Sequence, residues 1–153
     1  MTKLKIDTRT LSFSGHETFQ CRAYWPKKGY DFIEKKNSFN DKEALLHLGV
    51  GKNMVSSIAY WLKSFGIIED SDLNPFWIKI LNNKKGWDPF LENVGTLWLL
   101  HYFIVKKNFA SSYNLCFNHY RKEKVEFTKT QLSQFILHDL QLKGVKKFTD
   151  KTI

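Results

Sequence analysis

The chain has 153 residues, with 24 Lys and Arg against 15 Asp and Glu, a net charge of +9, and 42% hydrophobic and 16% aromatic residues. That apolar content is ample for a packed core and argues against a disordered basic tail, while a basic excess gathered toward both ends has the sign that suits phosphate. The longest apolar stretch, Leu97 to Val105, contains His101 and is far too short to span a bilayer, and MTKLKIDTRT has no apolar leader region, so a cytoplasmic protein with no membrane partner is expected.

Leu11 to Trp25 is rich in aromatic and β-branched residues with ragged alternation, which predicts a strand or turn leading into a polar loop from Pro26 to Gly29. Within this span His16 and Glu17 supply a proton carrier and a carboxylate, and Arg22, Lys27 and Lys28 supply cations. These are the side chains that phosphodiester cleavage requires. A His–Glu hydrogen bond stabilising a turn accounts for the same pair without chemistry.

Tyr30 to Glu34 suits a helix, and Asn40 to Glu43 is a capping-box-like start for the next, whose Ala44, Leu45 and Leu48 point inward. Gly49 and Gly51 supply a sharp turn. A longer helix follows with Val55, Ile58, Ala59, Leu62 and Phe65 on one apolar stripe, and with Lys52, Asn53, Ser56, Ser57, Tyr60 and Lys63 expected on the opposite, free face. Two helices meeting through a glycine turn form a helix-turn-helix pattern, whose second helix enters the major groove. On this reading Ile58 and Leu62 pack against Leu45 and Leu48. LGVGKN is no phosphate loop: the upstream glycine is missing, and Asn53 stands where a magnesium-holding Ser or Thr belongs.

Beyond the acidic loop Glu69 to Asp72, the alternation of Phe76, Ile78 and Ile80 with Trp77 and Lys79 predicts a wing strand. Residues 82–86, with Lys84 and Lys85, are expected to be its basic tip or the exit from it. A helix is expected from Asp88 and Pro89 to Lys106, then helices at Ser111 to Lys122 and Lys129 to Leu142. Asp88 and Glu92, four apart, are spaced to share a metal, although Asp before Pro at a helix start is usually a cap. His101 suits a core histidine better than a ligand. Cys21 and Cys116 lack zinc or CxxC spacing, which favours buried reduced thiols. The whole is expected to be a mainly α (α+β) winged helix-turn-helix with additional C-terminal helices: a DNA-binding region over 1–95 and a helical extension over 96–153, packed as one unit.

FSGHETF at 13–19, LGVGKNMVSSIAYW at 48–61, DPFLE at 88–92 and TLWLLH at 96–101 together resemble the DUF4007 family, in order and spacing, over nearly the whole chain. Members normally continue past the point where this sequence stops, so a truncation or natural half is expected. The family includes SspB-like DNA-nicking components of single-strand phosphorothioate modification and antiphage defence systems. The resemblance therefore implies duplex DNA and other proteins of such a system as partners, with nicking activity or a non-catalytic adaptor role as the two readings. Nicking would bring in a divalent metal, its ligands unassigned. The candidate catalytic residues are His16, Glu17 and Arg22, with His16 and Arg22 on one face if the segment is extended. The candidate DNA contacts are Lys27, Lys28, Lys52, Asn53, Ser56, Ser57, Tyr60, Lys63, Lys84 and Lys85.

Overall fold

A computed structural model of the chain describes residues 11–142 and 144. Residues 1–10, read above as leaderless, lie outside the described residues, as do 143 and 145–153. The described chain is mainly helical, with one two-stranded antiparallel sheet, and none of its helices is long and apolar enough to cross a membrane.

Helix α1 (Trp25–Glu34) begins five residues before the expected helix, because Pro26 fits a first turn, where its missing N–H costs nothing. The expected polar loop from Pro26 to Gly29 is therefore helical. Gly29 is buried where α1 crosses α3 (Lys52–Ser64): a Cβ there would come within 2.5 Å of Leu62 Cδ1 and 2.9 Å of Ile58 Cγ2. Ile58 and Leu62 are both fully buried as expected, and the element set directly against them is α1. Of their expected partners on α2 (Ala44–Leu48), Leu48 is buried and Leu45 is largely exposed. Gly49 closes α2 at φ 60°, and Gly51 caps α3 in extended conformation.

The strands β1 (Ile68–Glu69) and β2 (Asp72–Leu73) pair Ile68 with Leu73 and Glu69 with Asp72, so the acidic loop is a minimal hairpin. The expected wing strand is instead helix α4 (Pro75–Leu81). Asn74 caps it by accepting the Phe76 N–H at 2.9 Å, Pro75 occupies its first turn, and Trp77, Ile80 and Leu81 bury at helical i, i+3, i+4 spacing. Residues 82–86 form a turn closing α4, in which Asn82 Oδ1 accepts the N–H groups of Lys84 and Lys85.

Helix α5 (Val94–Lys107) starts at the Asn93 cap, six residues later than expected, because residues 88–93 turn around the Asp88 carboxylate. It sends Thr96, Leu100 and Ile104 inward. The expected helix from Ser111 is built as α6 (Ser111–Asn114), a π-helical segment (Leu115–Tyr120) and α7 (Arg121–Glu123); α8 (Lys129–Leu142) has the expected bounds. Asn114 and Asn118 both aim their amides at the Val105 carbonyl near the end of α5. One core runs from Trp25 through α3 and α4 to Ile104 and Ala110, and a smaller one gathers Phe13, Leu115, Ile136 and Leu140.

Candidate nucleic-acid interface

The free face of α3 is narrower than its sequence suggests. Lys52, Ser56 and Lys63 are exposed and Ala59 is partly so, which at offsets of 4, 7 and 11 from Lys52 makes a single line along the helix, with exposed Asn53 beside its first turn. Ser57 and Tyr60, expected on that face, are buried at 0% and 7% exposure. For Tyr60 the cause is distant in sequence: the segment 13–19 lies over it. The His16 ring meets Tyr60 edge-on at 5.7 Å and stacks on Trp61 at 6.0 Å, Phe109 closes on Tyr60 at 5.3 Å, and Trp61 Nε1 donates to the Phe19 carbonyl at 3.1 Å. Burial pushes the Tyr60 phenol above its ordinary pKa. The Ser57 hydroxyl has no hydrogen-bond partner.

That covering segment is a turn and not the extended strand that would align His16 with Arg22. Gly15, Glu17 and Thr18 all have positive φ, at 118°, 49° and 64°, and a Cβ on Gly15 would press within 2.8 Å of the Tyr60 ring. His16 Nδ1 accepts the Thr18 N–H at 3.1 Å and the Phe19 N–H donates to the His16 carbonyl. Glu17 is exposed. Arg22 lies instead over Trp25, 5.4 Å from its ring centroid, and lines a cleft with Tyr24, Phe90, Glu92 and Leu97 that His16 does not reach. The expected His–Glu hydrogen bond does not form, because Glu17 points to solvent; His16 bonds the Thr18 N–H within the turn instead.

Lys27, expected at the DNA surface, is a buried structural cation. Its ammonium is buried and spends its three protons on Asp31 Oδ1 at 2.7 Å, the Leu81 carbonyl at 2.9 Å and Asn83 Oδ1 at 2.9 Å. A buried lysine is tolerable only when satisfied in this way, and it then locks α1 to the end of α4 with nothing left for phosphate. Lys28 donates to the Leu48 carbonyl at 2.9 Å, where a cation suits the C-terminus of α2. Its side chain also lines a groove with Tyr24, Lys35, His47 and Phe90. Lys84 and Lys85 are exposed on the turn after α4.

The Asp88 carboxylate serves as a cap. The Asp88 oxygens accept the N–H groups of Glu92 at 2.9 Å and Asn93 at 3.0 Å; burial raises its pKa, but these bonds and one from Thr96 outweigh that and hold it below the usual carboxylate range. No three His, Cys, Asp or Glu side chains come together as a ligand set among the described residues. His101 packs against Phe117 at 4.6 Å and Trp98 at 5.9 Å, a structural role. Both cysteines are unpaired and half-buried, and burial pushes the Cys21 thiol up to about 12.

The cleft and the groove were not expected from sequence. They measure about 470 and 410 Å³, within the size range of ligand clefts. The residues that divide them, Tyr24 and Phe90, lie 66 positions apart. A third hollow, lined by Glu34 and Asp72 with Lys36, is unsuited to phosphate.

Among known proteins, the family described as "Protein of unknown function (DUF4007)" matches residues 13–153. Two solved structures resemble the chain, a crystal structure of SspB and a magnesium-bound crystal structure of SspB, each at 28% identity and TM-score 0.73 over 92% of this chain. The chain spans 46% of the first and 45% of the second, less than half of either. No curated protein matches it.

Proposed function

The chain belongs to the DUF4007 family, and we propose, from that membership and its likeness to SspB, that it is a cytoplasmic DNA-binding component of a phosphorothioate-type DNA modification and defence system. The observation that carries the binding role is the exposed line Lys52, Ser56 and Lys63, flanked by Asn53, on a helix whose other sides are largely buried. In this reading α2, the glycine turn and α3 act as a helix-turn-helix unit. Asn53 and Ser56 meet base edges in the major groove, and Lys52 and Lys63 meet phosphates. The hairpin Ile68–Leu73 lies where a wing would follow, but its Glu69, Asp70 and Asp72 repel phosphate, so it does not clamp the backbone.

The adaptor role suits the site better than strand cutting by His16, Glu17 and Arg22, because the His16 ring is held against Trp61 and Arg22 faces a different cleft. Fluorescence anisotropy with duplex DNA across a salt series tests the binding role. Lys52→Glu, Lys63→Glu double substitution should weaken binding and flatten the slope of log affinity against log salt by about 2. Full affinity in that variant refutes the α3 assignment. Magnesium-dependent nicking of supercoiled plasmid, lost in folded His16→Ala protein, refutes the adaptor assignment.

A further inference from the structure

Tyr24 and Phe90 are large aromatic side chains left 77% and 62% exposed, and both line the cleft on one side and the groove on the other, so they form a ridge between two hollows. Each hollow brings cations to the ridge: Arg22 in the cleft, Lys28 and Lys35 in the groove. The acidic groups there are Glu92 in the cleft and Asp31 in the groove, and Asp31 is already neutralised by Lys27. Lys27 Nζ also sits 5.8 Å from the Phe90 ring centroid, which ties that ring to the fixed end of α1.

Exposed aromatic rings flanked by cations have the chemistry of a base-stacking site: every nucleobase offers a π face, and the phosphates on either side of it need positive charge. Bases in a duplex are stacked inside and cannot reach such a ridge. We propose that the Tyr24–Phe90 ridge binds unpaired bases of single-stranded DNA, with Arg22 on one flanking phosphate and Lys28 or Lys35 on the other. This rests on the DNA-binding reading above and adds the strand state that this surface selects. The ridge is separate in sequence and in lining residues from the α3 line, so the two are independently removable.

The test compares the whole chain and its variants for binding to labelled oligothymidylate and to a duplex of equal length at one salt concentration. Tyr24→Ala and Phe90→Ala should each weaken oligothymidylate binding about 5- to 100-fold and leave duplex binding within about twofold, while Tyr24→Phe and Phe90→Tyr keep both. Thermal melting confirms that these surface variants fold. Unchanged oligothymidylate affinity in the double alanine variant overturns the proposal, as does equal weakening on both DNAs. So does a lowered sedimentation coefficient without a change in single-strand affinity, which would mark the ridge as a self-association surface. If the unaltered protein binds duplex but no single strand, only this proposal falls; if it binds neither, the DNA-binding reading falls with it.

Discussion

Replacing Gly29 by alanine puts a methyl group into the close crossing of α1 and α3. The new Cβ would stand 2.5 and 2.7 Å from the two Leu62 methyl carbons and 2.9 Å from Ile58 Cγ2, about 1 Å inside the carbon–carbon optimum in each case. Neither neighbour has room to yield: Leu62 and Ile58 are fully buried, and the β-branched Ile58 has one favoured helical rotamer. Overpacking of this kind costs roughly 1 to 3 kcal/mol, and the severity of the contacts places Gly29→Ala near the top of that range. The better helix propensity of Ala returns about 1 kcal/mol, leaving a net loss of about 2. Leu62→Ala alone should cost about 2 to 5 kcal/mol through the cavity it leaves. In the double variant the alanine methyl enters that cavity. The two losses should therefore fall short of additivity by about 1 to 2 kcal/mol, a coupling that urea unfolding of the four proteins measures. Additive losses would mean that Gly29 and Leu62 do not share the crossing.

Ser57→Ala removes a fully buried hydroxyl that has no hydrogen-bond partner, so it should raise stability by about 1 kcal/mol; a loss of that size in chemical denaturation contradicts the burial. Tyr30 donates to Glu34 at 2.9 Å, and burial followed by that hydrogen bond and charge raises its phenol from 10.0 to about 12. Because the folded pKa lies above the unfolded one, its contribution is complete below pH 10 and is lost as pH rises toward 12. Tyr30→Phe should make the fall in melting temperature across that window shallower, and an identical fall would refute the assignment.

The α3 stripe was legible because a period of 3.6 is written in α3 itself: Val55, Ile58, Leu62 and Phe65 bury as spaced. What covers the other flank was not. Tyr60 lies under a turn about 40 residues upstream, and no local pattern announces two successive non-glycine residues at positive φ. Helix α4 was missed for a different reason. Its Phe76, Ile78 and Ile80 satisfy a period of two while Trp77, Ile80 and Leu81 satisfy the helical one, and only the cap-and-proline pair Asn74–Pro75 breaks the tie. Lys27 looked like any surface lysine because one of its acceptors, the Leu81 carbonyl, is 54 positions away. The Tyr24–Phe90 ridge was hidden by the same kind of separation.

The tie between Ser12 and Ser111 bears on how the protein emerges from the ribosome. Ser12 N–H donates to Ser111 Oγ at 2.9 Å and Ser111 N–H returns to the Ser12 carbonyl at 3.0 Å, across a separation of 99 residues. Phe13 beside it packs with Leu115, Ile136 and Leu140. At elongation rates of roughly 5 to 20 residues per second, Ser12 waits about 5 to 20 s for Ser111 to be synthesised. Helices α1 to α3 are complete well before that and have mostly local contacts to make, so they are free to pack early. If the segment docks only once Ser111 is in place, the Tyr60 and Trp61 rings lack its cover through that interval, an aromatic surface on a helix that is otherwise able to form.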